Sequence, residues 1–103
     1  GRVTARPLAR FPAVVRDLSL IVGADTLAGQ IYAAVVEFGE ELVEGVLCFD
    51  EYSGEGVEEG SKALAFSITY RAADRTLTDD EVAGTHQRLV SHITDTLGVR
   101  ARA

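Results

Sequence analysis

From Ala63 to Tyr70 the large residues Leu64, Phe66, Ile68 and Tyr70 alternate without a break with Ala63, Ala65, Ser67 and Thr69. A period of two belongs to a β-strand, because successive strand side chains leave opposite faces of a sheet. One face of this strand must be covered, while the other carries residues too small to fill a core. The fold therefore needs a layer packed on one side of a sheet and an opposite side left bare.

The other segments supply that layer. Leu18, Leu20 and Val22 alternate with Asp17, Ser19 and Ile21, which predicts a first strand over residues 17–22. Leu27, Ile31, Ala34, Val35 and Phe38 then share one face of a helix, with Asp25 or Thr26 as cap and Gly39 as stop. A second strand is predicted over 42–52, with Leu47 and Phe49 on one face and Val46, Cys48, Asp50 and Tyr52 on the other. Residues 53–61 hold three glycines among acids and read as a loop into the alternating strand. Thr78 and Glu81 form a capping box for a second helix, whose stripe is Val82, His86, Leu89, Val90, Ile93 and Leu97, ended by Gly98. Residues 99–103 can add a short last strand.

The order βαββαβ predicts an α+β split βαβ sandwich, one antiparallel four-stranded sheet with two helices on one face. The helices should cover Leu18, Leu20, Leu47, Phe49, Leu64, Phe66 and Ile68. The bare face should carry Ser19, Ile21, Cys48, Asp50, Tyr52, Ala63, Ala65, Ser67 and Thr69. Residues 1–10, with Arg2, Arg6 and Arg10 beside Pro7, suit a linker from a preceding domain, which leaves 11–103 as the folded domain.

Composition narrows the function. A chain of 103 residues needs only one core, and no apolar run is long enough to cross a bilayer. No export signal is visible near the start, so a cytoplasmic setting is expected, with no membrane partner. Methionine is absent throughout, so a fragment or a processed form is expected. A single Cys48 with His86 and His92 makes neither an internal disulfide nor a zinc pattern. The net charge of −6 is concentrated: residues 37–59 hold nine acids and no base. Nucleic-acid affinity comes largely from Lys and Arg neutralising phosphates, so any RNA contact must be local.

No catalytic constellation emerges. His86 sits on the apolar stripe of its helix as a core or boundary residue, and His92 reads as a solvated surface residue. The Gly54-Glu55-Gly56 turn follows an acidic strand and leads to another strand, unlike a phosphate loop that opens a helix. The bare face offers more. Ala63, Ala65 and Ser67 let a partner approach the backbone, Tyr52 gives a ring for stacking, and Asp50 can accept from the ring N–H and the exocyclic amino group of guanine. Lys62, Arg71 and Arg75 either contact phosphates or pair with Asp74, Asp79 and Asp80.

Four blocks add a resemblance: residues 11–20 (F-P-A-V-V-R-D-L-S-L), 47–52 (L-C-F-D-E-Y), 60–66 (G-S-K-A-L-A-F) and 70–79 (Y-R-A-A-D-R-T-L-T-D). In this order, across residues 11–98, they resemble the ferredoxin-fold anticodon-binding domain that ends the β subunit of bacterial-type phenylalanyl-tRNA synthetase. The resemblance implies a ferredoxin-like fold and a noncatalytic role in holding the anticodon stem-loop of phenylalanine tRNA. It also implies an (αβ)₂ heterotetramer whose α subunit carries aminoacylation, with ATP and Mg²⁺ needed there, no cofactor in this domain and no DNA partner. The family's F-D-x-Y motif, which engages a guanine as first anticodon base, falls on Asp50 and Tyr52. The family serine of the K-S-L-A-F strand is replaced by Ala63, with Ser61, before the strand, and Ser67 as the nearest hydroxyls. Arg71, Arg75, Lys62 and Arg16 are the residues offered to phosphates. Two other readings are an amino-acid-sensing regulatory domain of the same element order and a structural cap of the synthetase. A generic RNA-recognition motif is disfavoured, since that module needs aromatics where this strand has Ala63, Ala65 and Ser67.

Overall fold

The computed structural model describes residues 10–102. The alternating segment is β3 (Ser61–Tyr70), an inner strand that begins with Ser61 rather than after it. It pairs antiparallel with β1 (Val14–Gly23) on one side and with β2 (Val43–Tyr52) on the other. A short β4 (Arg100–Ala101) adds to the outer edge of β1, giving the sheet order β2-β3-β1-β4. Helices α1 (Ala28–Phe38) and α2 (Asp79–Leu97) complete the βαββαβ order of a ferredoxin-like α+β fold. Of the linker expected over 1–10, Arg10 alone lies within the described residues, and its guanidinium meets Glu44 at 3.1 Å.

Both helices pack on the large-residue face. Leu18, Leu20, Leu64, Phe66, Ile68 and Tyr70 form one cluster with Ile31, Ala34 and Val35 of α1 and Val82, Leu89 and Ile93 of α2. Helix α2 starts as its sequence dictates: Thr78 Oγ1 accepts from Glu81 N–H at 3.1 Å and Glu81 Oε1 accepts from Thr78 N–H at 3.1 Å. Its stripe also includes the buried Thr85. Helix α1 corrects the expectation. Thr26 belongs to a turn, its N–H donating to Gly23 O at 2.9 Å, and the helix begins one residue later with Leu27 as N-cap. Leu27 has no acceptor to offer, and only the Gln30 half of a capping box forms, at 2.9 Å. Instead of joining the buried stripe, Leu27 is 66% exposed. Gly39 at φ 69° and Gly98 at φ 67° end the two helices in the left-handed region that glycine adopts without strain.

Strand β2 overturns a second expectation. Its pairing with β3 slips twice, between Val43 and Gly45 and between Cys48 and Asp50, so Glu44 and Phe49 are extra residues of two β-bulges. Each extra residue reverses the parity of the alternation. Val46 and Cys48, opposite Ile68 and Phe66, therefore pack on the helix side, and Leu47, opposite Ser67, faces the open side. Leu47 and Phe49 are 62% and 54% exposed rather than covered by helices, and Cys48 leaves the bare-face inventory. The Cys48 N–H donates to Tyr32 Oη of α1 at 2.9 Å, which fixes the strand beside the bulge.

His92 is likewise not a free surface residue: its Nε2 lies 3.1 Å from Glu37 and its ring packs 5.3 Å from Phe38. His86 fits the boundary role, with Nδ1 2.7 Å from the Tyr70 hydroxyl. Burial, reinforced by the nearby Arg16 charge, pushes the His86 imidazole below its ordinary value. Burial pushes the Tyr70 phenol up to about 12, against a smaller opposing effect of Arg16. The lowered imidazole stabilises the fold above its ordinary range, and that contribution is lost as pH falls through the folded value. The raised phenol stabilises it below the ordinary phenol range, and that contribution is lost as pH climbs from about 10 towards 12. Urea midpoints should thus decline below about pH 6.5 and again above about pH 10, with Tyr70→Phe flattening the alkaline limb. A wild-type midpoint constant from pH 7 to 11 would contradict this account of the pair.

Candidate nucleic-acid interface

The face away from the helices is a set of cross-strand rows. From one end they run Val15–Thr69–Gly45, Asp17–Ser67–Leu47, Ser19–Ala65–Asp50 and Ile21–Ala63–Tyr52. The small residues of β3 form its middle, and the larger side chains of β2 stand along one margin. The bulge at Phe49 keeps Asp50 and Tyr52 on this face while Cys48 turns inward. Asp50 thus reaches the open side by a different route from the simple alternation that predicted it.

The face is not wholly bare. The loop between β2 and β3 folds back over its Tyr52 end: Ala24 N–H donates to Gly60 O at 2.9 Å, and Arg100 pairs with Glu58 at 3.0 Å. Under this loop Ile21 and Ala63 are only 7% and 4% exposed. Tyr52 donates its hydroxyl to Glu55 O at 2.7 Å, and a Cβ at Gly54 would lie 3.3 Å from that hydroxyl. The ring is held by its far end yet remains 40% exposed. Asp50 is exposed, and its carboxylate meets no donor among the described residues. Ser67 stands diagonal to Asp50 on the same face, at a spacing of about 7–8 Å typical of such pairs. Ser61 sits at the strand end opposite Gly23.

Asp50, Tyr52, Ala63 and Ser67 are therefore brought together, and the four cations are not. Lys62 points to the helix side, is 7% exposed and meets Glu51 at 3.5 Å. Arg16 sits opposite Ile68 on the same side and donates to Val15 O at 3.1 Å. Arg71 lies beyond the Val15 row, at the end of the sheet away from Tyr52. It holds Glu44, the extra residue of the first bulge, through two hydrogen bonds of 2.7 and 3.2 Å, and it also donates to Phe11 O. The Arg71 hydrogen bond holds Glu44 below the usual carboxylate range, and Arg71 is raised in turn. Arg75 pairs with Glu81 and with Asp74, in part the pairing expected for it, and its hydrogen bond is the main cause of the lowered Glu81 carboxyl.

Two arginines at this face were missed by the sequence reading. Arg100 lies opposite Ile21, and Arg102 N–H donates to Ser19 O at 2.8 Å, which carries the β4 pairing one residue further. Both side chains fall on the open face by the period of two. The signal was the spacing R-A-R itself, legible once the last segment is taken as a strand.

The comparisons agree with this architecture. Residues 9–102 match the family model of the ferredoxin-fold anticodon binding domain. The chain is similar to the phenylalanine–tRNA ligase β subunit of Shouchella clausii, 44% identical over 98 residues, covering 95% of this chain and 12% of that protein. It is also similar to the β subunit of Symbiobacterium thermophilum, 49% identical over 84 residues, 82% of this chain and 9% of that protein. The Moorella thermoacetica β subunit is 44% identical over 96 residues, 93% of this chain and 12% of that protein. The chain thus spans about an eighth or less of each curated relative. With the sheet order, the helix-free face and the family match all coinciding over the folded residues, the chain belongs to the ferredoxin-fold anticodon-binding domain family.

Proposed function

We propose that this chain is the noncatalytic module through which a phenylalanine–tRNA ligase β subunit holds the anticodon stem-loop of phenylalanine tRNA. The first anticodon base, a guanine, stacks on Tyr52 while Asp50 accepts from its ring N–H and its exocyclic amino group. Aminoacylation, with its ATP and Mg²⁺, belongs to the α subunit of an (αβ)₂ assembly in the cytoplasm. The observation that carries this reading is the exposed Asp50 carboxylate, which meets no donor among the described residues, two residues from a ring tethered at 2.7 Å to the adjoining loop. An exposed carboxylate is a poor ligand for phosphate and a good one for the two donors of guanine. Ser67 supplies a hydroxyl on the same face in place of the one lost at Ala63. Arg71 and Arg75 lie at the far end, where they suit phosphates of the stem rather than the base-reading end, and Lys62 and Arg16 face the helix layer.

The test is a cycle between protein and base. Stem-loops with guanine, inosine or adenine at the first anticodon position are titrated with the wild-type chain and with Asp50→Ala. A bidentate carboxylate–base contact contributes about 1–3 kcal/mol of discrimination, roughly 5- to 150-fold. Wild type should prefer guanine over adenine within that range, inosine should fall between them, and Asp50→Ala should bind all three alike. A guanine preference that survives Asp50→Ala would remove Asp50 from base reading. If no RNA is bound at any base, the structural-cap reading is favoured.

A further inference from the structure

Asp50 and Tyr52 are held in different ways. The Tyr52 ring is tethered through its own hydroxyl to Glu55 O at 2.7 Å. The Asp50 carboxylate meets no donor among the described residues, so its aim is set by the backbone beneath it. That backbone is the second bulge of β2, where Phe49 is the extra residue between Cys48, opposite Phe66, and Asp50, opposite Ala65. A bulge leaves its extra residue unpaired and bends the strand, so its shape needs a support that the ladder does not give. Tyr32 of α1 provides one. It touches both members of the last cross-strand pair before the bulge: its ring meets Phe66 edge-on at 6.1 Å and 84°, and its hydroxyl accepts the Cys48 N–H at 2.9 Å. Across Phe49 the Cys48 thiol donates to Asp50 O at 3.6 Å. The bend is thus pinned to the helix layer at Cys48, and Asp50 is tied back to Cys48.

We propose that Tyr32 is a positioning residue for base reading, acting through the bulge to aim the Asp50 carboxylate. This inference rests on the assignment of Asp50 to guanine. The side of the sheet that Asp50 takes is secured without Tyr32: if Phe49 paired with Ala65, Asp50 would stand opposite Leu64, a carboxylate in the covered layer. Aim is a narrower matter. The two donors of guanine engage both carboxylate oxygens only when the carboxylate is held within about 0.5 Å and 10–20° of the productive geometry. An exposed side chain without a partner of its own inherits every deviation of its backbone. Tyr32 lies in the helix layer, so it makes no contact with the base and affects only how well Asp50 meets it.

Stem-loops of phenylalanine tRNA with guanine or adenine as first anticodon base are titrated with the wild-type chain, Tyr32→Phe, Asp50→Ala and the double variant. Ile93→Val, at a fully buried position of α2, serves as a control that lowers the urea midpoint without touching the bulge. Tyr32→Phe keeps the ring on Phe66 and deletes only the acceptor of the Cys48 N–H. It should lower the preference for guanine over adenine roughly 2- to 10-fold, the range spanned by one neutral hydrogen bond, with adenine affinity unchanged. In the Asp50→Ala background the same change should alter neither affinity, because no carboxylate is left to aim. Ile93→Val should keep the wild-type preference. An undiminished preference in Tyr32→Phe, with the preference lost in Asp50→Ala, would remove Tyr32 and leave the base-reading assignment standing. Equal weakening of both stem-loops by Tyr32→Phe, or a loss of preference shared by Ile93→Val, would mean a general loosening of the fold and overturn the positioning role. If Asp50→Ala keeps the guanine preference, the base-reading assignment fails and the Tyr32 inference falls with it.

Discussion

Phe66→Ala is expected to cost about 3–5 kcal/mol of unfolding free energy, the range for emptying a fully buried aromatic site. Phe66 has no exposed surface, lies on an inner strand and meets the edge of Tyr32 at 6.1 Å and 84°. Tyr32 in turn accepts the Cys48 N–H beside the second bulge. The cavity would therefore open where the helix layer holds β2 in register, and a small domain with about 5–15 kcal/mol in total has little to spare. Urea unfolding checks the magnitude. A loss below about 1 kcal/mol would mean that the site collapses around the smaller side chain, and that Phe66 is not a keystone of the two layers.

Tyr52→Ala is expected to weaken binding of the anticodon stem-loop roughly 5- to 150-fold, from about 1–3 kcal/mol of base–aromatic stacking. Tyr52→Phe is the informative companion, because it keeps the ring and deletes the hydroxyl bond to Glu55 O at 2.7 Å. An exposed neutral hydrogen bond contributes about 0.5–1.5 kcal/mol at most, and here it only steadies a ring that remains stacked. The phenylalanine variant should therefore stay within several-fold of wild type. Equal losses in the two variants would place the effect in the loop anchor rather than in stacking. Fold is not at issue in either, since Tyr52 lies at an exposed strand end.

How much of this could be read beforehand depends on where the period of two is interrupted. Strand β3 was legible in full because nothing breaks its alternation, and with it the helix-covered face and the open one. Strand β2 was not: a pattern of two carries no mark of an extra residue, so Leu47, Cys48 and Phe49 were assigned to the wrong sides of a bulged edge strand. Asp50 and Tyr52 came out on the right face because they lie together beyond the second bulge, where pairing with Ala65 and Ala63 resumes without a further slip. The N-cap of α1 was misplaced because the turn that begins at Gly23 runs through Thr26 and the helix starts only at Leu27, a residue whose side chain carries no capping signal. The cations were the least legible part. Sequence shows that Lys62, Arg71 and Arg75 are basic, but their acids, Glu51, Glu44 and Glu81, are set by tertiary pairing over 6 to 27 residues of separation. Arg102, without an acid among the described residues, follows a strand of only two residues whose register against β1 is set by tertiary pairing.

The most direct test of the central claim is to follow backbone amide shifts of the wild-type chain during titration with the anticodon stem-loop of phenylalanine tRNA at low salt. The open-face account predicts that the largest shifts fall at Leu47, Asp50, Tyr52, Ala65 and Ser67 and along the β2–β3 loop, with the amides of α1 and α2 nearly still. Shifts concentrated on the helices, or no shift at high RNA concentration, would contradict it.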